Sequence, residues 1–355
     1  MHKLLSEIKS LQSQRNNSIY PEGIFPSKRQ MVLGIIREDD NSFFTALIVF
    51  TLQRLKKYLS IEEANIVEDI KSQAQNAFPF YESNKVDYTY NFWRTQKNAH
   101  FPNGRLFSKF KYFALADDAD CTALIYLAKG YSTEDINNLK DKLVYHAKLP
   151  VPFSKNTLPH YRSLKLYSTW FGKNIPIETD VCVTANLLYL LFESKAVINE
   201  YDSDCMKFIC SVINNDEHKT QAFRIAPYYP KKAIIIYHVA RLLTVAENSD
   251  LQKLKPKLKT DILQKLSGNN LQMERIILNT SLMFLGETEK IEELEMPIDI
   301  NYPWFVAGLL TSINNPIANC LAPSSLFHIK FYCEAYMKTL FFEYKILKDN
   351  LIARS

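Results

Sequence analysis

Apolar residues along this chain recur mostly at three- and four-residue spacing, and strict alternation of apolar with polar positions is scarce. Only eight glycines interrupt the pattern, so helix is the default expectation and the expected class is all-α. The periodicity predicts helices near 2–15, 41–58, 61–75, 118–129, 133–147, 180–195, 202–214, 231–246, 250–267, 271–286, 302–313 and 323–347. Several starts carry their own caps. Ser60 and Glu63 have capping-box spacing, Ser132 and Thr133 precede Glu134 and Asp135, and Thr179 and Asp180 precede an apolar run.

Alternate helices differ in kind. Those at 41–58, 118–129, 180–195, 231–246, 271–286 and 323–347 are apolar nearly all round, while their partners carry charged faces. A helix apolar on every side must be surrounded by protein. Six buried helices alternating with six half-exposed ones predict an α/α toroid of inner and outer layers, with residues 1–355 as one domain. An internal repeat agrees: Asp39–Ile48 and Asp117–Ile125 both end in Thr-Ala-Leu-Ile after paired aspartates, and Asp180 opens a third copy through Thr184-Ala185. The long linkers precede the inner helices at 118, 180 and 231. They are rich in aromatics and prolines, among them Phe78-Pro79-Phe80-Tyr81, Tyr88 to Trp93, His100-Phe101-Pro102, Trp170-Phe171 and Pro227-Tyr228-Tyr229-Pro230. Long ordered connections are usually functional, so Trp93, Trp170, Tyr228 and Tyr229, with Asp40 and Asp180, are expected to line a binding site at one mouth of the ring.

Composition narrows the function classes. At 355 residues, with 47% apolar and 23% charged positions, the chain has enough apolar surface for one large core. Its net charge of +5 is dispersed, without the basic stripe of a nucleic-acid binder. No stretch approaches the roughly 20 continuous apolar residues of a membrane span, which leaves peripheral membrane contact open. The start lacks the pattern of a secretory signal, and six cysteines without regular close spacing suit reduced thiols. A cytoplasmic location is therefore expected, and the oligomeric state is left open. Gly-rich phosphate loops, nucleophile elbows, HExxH and CxxC are absent from the sequence.

The most concentrated chemistry is Asp117-Asp118-Ala119-Asp120-Cys121-Thr122-Ala123. Three carboxylates within four residues at a helix start cannot all ionise freely in a dry site, which leaves a neutral aspartic acid available as a proton donor. The helix N-terminus opposes this by favouring the charged form, and capping alone would also account for aspartates here. Residues 118–123 resemble the DxDDTA and DCTA elements of squalene–hopene and oxidosqualene cyclases. The resemblance implies that Asp120 is the proton donor, Asp118 its neighbour and Cys121 a hydrogen-bond partner of the carboxyl group. It further implies an apolar isoprenoid or lipid substrate and no cofactor. The motif covers about six residues, and those cyclases use two toroidal domains and QW repeats that this chain lacks.

Other readings compete. Asp180-Val181-Cys182 with Tyr237-His238 resembles the zinc site of protein prenyltransferase β subunits, which would make Asp180, Cys182 and His238 ligands of a catalytic zinc. Asp40, Asp120 and Asp180 on three inner helices could supply the carboxylate pair of a carbohydrate-active α/α barrel. In a fourth reading the ring is a non-catalytic binding scaffold whose aspartates only cap helices. Asp202-Ser203-Asp204-Cys205 reads as a capped outer helix. Arg241, His328 and Glu334 on expected inner helices each need a polar partner or a wet cavity.

Overall fold

The computed structural model describes residues 1–16, 19–83, 88–95, 100–101, 114–154, 156–173, 175–298, 301–311 and 315–352. Its helices are α1 (His2–Ser10), α2 (Ser42–Leu55), α3 (Ile61–Ala77), α4 (Ala119–Lys129), α5 (Thr133–Ala147), α6 (Val181–Glu193), α7 (Glu200–Asn214), α8 (Glu217–Thr220), α9 (Ala222–Ile225), α10 (Lys232–Leu242), α11 (Ser249–Gln252), α12 (Lys255–Leu266), α13 (Gln272–Phe284), α14 (Pro316–Leu321) and α15 (Glu334–Ile352). The strands are β1 (Ser27–Gln30), β2 (Ile36–Asp39), β3 (Phe305–Gly308) and β4 (His328–Tyr332).

The strands correct the expected class. The chain is not an all-α toroid but a mixed, helix-rich fold, 56% helix and 8% strand, with a four-stranded antiparallel sheet in the order β2-β1-β4-β3. The helix expected at 302–313 is β3 and its flanks, and residues 312–313 lie outside the described residues. Residues 328–332, expected to be the first turns of the last inner helix, form β4. Pro303 supplies no backbone N–H, and the aromatic and β-branched run Trp304-Phe305-Val306 suits a pleated surface better than a helix. Strands of four or five residues are too short for alternation to register, and β1 (Ser-Lys-Arg-Gln) is polar throughout. The sheet joins the two ends of the chain through β1 and β4, with Lys28 opposite Tyr332, and β3 adds Phe305 opposite Phe331.

The helices α2, α4, α6, α10, α13 and α15 contact one another in cyclic order, and α15 returns to α2. Their burial explains their composition: every residue of α6 from Val181 to Leu191 is buried. Withdrawing each large aliphatic or aromatic side chain from water contributes roughly 1.5–3 kcal/mol, so helices without a polar face are held by the core. The amphipathic α3, α7 and α12 pack outside them. Capping boxes at Ser60, Ser132 and Asn199 fix the starts of α3, α5 and α7, where each N-cap side chain accepts from the third helical amide. Among the described residues no helix is long and apolar enough to cross a membrane.

Candidate functional site at the starts of the ring helices

The starts of α2, α4, α6 and α10 converge at one mouth, where Phe43, Tyr229 and Phe305 form an aromatic cluster with ring centres 4.8–6.3 Å apart. Phe92 and Phe331 extend it. The paired aspartates gather here, and most of them hold structure together. Asp39 accepts from Arg29 Nη1 at 2.6 Å and Trp93 Nε1 at 3.0 Å. Asp40 pairs with Arg94, and Asp117 accepts from Ser83 and from Thr89 Oγ1 at 2.6 Å. The linker carrying Trp93 is thus fastened to the ring through carboxylates.

Asp118 is the N-cap of α4 and accepts from the Cys121 amide at 2.5 Å. Asp180 caps α6 through the Cys182 amide at 2.7 Å, and its second oxygen accepts from the Tyr228 amide at 3.0 Å. Burial pushes both carboxyls up to about 8, against the pull of these amides. Glu178, which the sequence reading did not single out, accepts from Trp170 Nε1 at 3.0 Å and Tyr228 OH at 2.7 Å. Trp170 and Tyr228 are therefore tied to one carboxylate oxygen, with their rings packed edge to face at 5.8 Å.

Asp120 differs. Its carboxylate caps nothing and turns between α4, α6 and α10. Oδ1 accepts from Asn186 Nδ2 at 2.7 Å, and Oδ2 accepts from the Tyr229 hydroxyl. Burial raises its proton affinity, while these two hydrogen bonds and the nearby Arg241 charge oppose that rise. Cys121 donates its amide to Asp118, not Asp120, and burial raises its thiol well above the ordinary value. Arg241 Nη2 donates to Asn186 Oδ1, so the partner expected for Arg241 is an amide carbonyl that relays its charge towards Asp120.

Deeper in the ring, Arg54 Nη1 donates to Glu343 at 3.0 Å and Tyr237 OH donates to the same carboxylate at 2.6 Å. The two guanidiniums lie over aromatic faces, Arg241 at 5.1 Å from Phe50 and Arg54 at 4.9 Å from Phe284. Beside them His238 Nε2, Arg241 Nη1, Trp304 Nε1 and Tyr336 OH are fully buried without a hydrogen-bond partner among the described residues. Trp304 is 5.7 Å from the His238 ring and 4.8 Å from Tyr336. Buried unpaired polar groups cost about 1–3 kcal/mol each, so their clustering marks where a polar group inside the ring would find partners. The sequence signal for Asn186 and Glu343 was a single polar residue within an apolar run, as in Thr-Ala-Asn-Leu-Leu and Leu-Phe-Phe-Glu-Tyr.

The alternative site sets are placed otherwise. Asp180, Cys182 and His238 are not a group whose ligand atoms lie within 4.8 Å; among the described residues Asp216, His218 and Asp261 are such a group. His238 Nδ1 is engaged with Ile234 O at 2.8 Å, and burial with the Arg241 charge keeps the ring neutral. Asp40 and Asp180 are taken up by Arg94 and by the α6 cap. Glu334 begins α15 at the surface, and His328 Nε2 is engaged with Ala322 O at 2.7 Å. Two surface concavities, of about 280 and 460 Å³, lie at Lys232, Asp261 and Lys265 and at Met206, Cys210 and Leu254, away from Asp118 and Asp120. Comparison with known proteins finds no matching family model, curated protein or solved structure.

Proposed function

We propose that this chain is a terpenoid-cyclase-like protein that takes an apolar isoprenoid or comparable lipid at the mouth of the helical ring, with Asp120 giving the proton that starts its conversion. The observation that carries this reading is the setting of Asp120. It is buried, caps no helix, and among the described residues meets only the neutral donors Tyr229 and Asn186 at hydrogen-bond distance. A proton donor has to keep its proton at neutral pH and still release it. Burial raises the proton affinity of Asp120, in the direction of the first property, and the Arg241 charge, passed on through Asn186, lowers it, in the direction of the second. The faces of Phe43, Phe92 and Phe305 suit developing positive charge.

The test is product analysis by gas chromatography and mass spectrometry after incubation with squalene, oxidosqualene and linear prenyl alcohols. Wild type should convert at least one of them, and Asp120→Asn should lose about a hundredfold or more of that rate while keeping its melting temperature. Unchanged conversion by the variant, or none by wild type, overturns the reading. A second reading, a non-catalytic binding ring, is favoured by one observation: both Asp120 oxygens already have donors. It predicts that Asp120→Asn changes stability alone.

A further inference from the structure

The sheet carries a surface that the Asp120 reading does not use. β1 runs antiparallel to both β2 and β4, so the β1–β2 turn and the long β3–β4 connection project from the same end. The two touch, the 3-10 turn Val32–Gly34 against the turn Ser325–Phe327. Ile35 and Ile36 on the first, with Ile317, Leu321 and Leu326 on the second, are 43–74% exposed. The sequence around them carries no charge. From Asn301 to Ile329, 29 residues pass without Asp, Glu, Lys or Arg, and Gln30 to Ile36 is equally free of them. The connection between β3 and β4, residues 309–327, is 19 positions of that stretch, and a chain that is 23% charged overall would place several charges in it if it served only to face water.

We infer that this end of the sheet is a membrane-contacting surface, inserting Ile35, Ile36, Ile317 and Leu326 into the headgroup boundary of a bilayer with anionic lipids. Large exposed apolar patches mark contact sites, and two features select lipid as the occupant. The side chains are aliphatic, whereas protein interfaces concentrate aromatics and arginine. The charges that return at the base of the turn and the connection are Lys28, Arg37 and Lys330 against the single Glu38, a balance that complements anionic headgroups. No spanning helix is needed for such in-plane attachment.

Sedimentation of the full chain with vesicles tests it. Vesicles of phosphatidylcholine with about a quarter phosphatidylserine should bind the protein, more strongly than pure phosphatidylcholine and less at high salt. The double variant Ile317→Asp/Leu326→Asp, at two exposed positions, should lose at least tenfold in binding. A readout independent of any fold change uses Cys320, the one exposed cysteine, on α14. A polarity-sensitive dye attached there should shift to the blue on vesicles and be quenched by brominated lipid. Wild type that stays in the supernatant with both vesicle types overturns the inference, as does a dye signal unmoved by lipid. Self-association abolished by the same double variant, without vesicle binding, assigns the surface to a protein partner and also overturns it.

Discussion

Two acidic clusters in this chain solve the same electrostatic problem in opposite ways. Asp216 and Asp261, where α8 meets α12, are neutralised by Lys219 at 2.8 and 2.5 Å, and Lys257 lies 2.5 Å from Asp216. The two lysines hold Asp216 down at about 2, and His218 at 3.1 Å completes the network. Two cations thus occupy the surroundings a metal ion would need, and the cluster is a clasp between the outer helices. Asp118, Asp120 and Asp180 at the ring mouth meet amides, a hydroxyl and a carboxamide, and burial raises all three. A carboxylate matched with ammonium groups is locked in its charge state. One matched with neutral donors stays close to titrating, and only the second kind can exchange a proton near neutral pH.

Substitutions in each cluster test this difference. The largest stability effect is expected inside the ring. Arg54→Ala strips the buried Glu343 of its cation and should cost about 3–5 kcal/mol in denaturant unfolding, whereas a loss under about 1 kcal/mol would show that Tyr237 satisfies Glu343 by itself. Next comes the contrast between clusters. Asp120→Asn should lower any measured conversion about a hundredfold or more, and Asp261→Asn should leave it within about twofold. Equal losses at both sites would erase the distinction.

A pH series examines the mouth directly. The carboxyls of Asp118 and Asp180 rise from 3.8 to about 8 on folding. The folded chain therefore holds protons there that the unfolded chain has already released. These groups impose no penalty below about pH 4 and an increasing one as pH climbs towards 8. Asparagine still caps a helix, so the Asp118→Asn/Asp180→Asn variant should show a melting temperature that falls less than that of wild type between about pH 5 and about pH 8. Equal slopes would place the titration elsewhere. The smallest effect belongs to the surface: Ser60→Ala removes a capping box on α3 and should cost about 1 kcal/mol in unfolding without altering conversion.

Much of the helical framework was legible in the chain because long buried helices leave a strong periodic signature. α4, α5 and α7 lie within a turn or less of the expected spans. The all-α expectation failed where elements are short: β1 to β4 span four or five residues each, and the pairing that makes them one sheet, β1 with β4, joins opposite ends of the chain, as Lys28 with Tyr332. No local pattern can report such a pairing.

The candidate site divides along the same line. The repeated Asp-x-x-x-Thr-Ala starts identified the mouth, since Asp118 and Asp180 are caps whose oxygens reach amides two or three residues on. The order of apolar and polar residues was thus enough to determine which helices are buried and which of their ends carries the acids, because both follow from interactions within a few residues. Which aspartate turns into the ring, and that Asn186, Arg241 and Tyr229 meet it there, was decided by tertiary structure alone. With Asp120 those groups come from three segments 43 or more positions apart, and only the closure of α2, α4, α6, α10, α13 and α15 into a circuit brings their polar atoms within reach of one another.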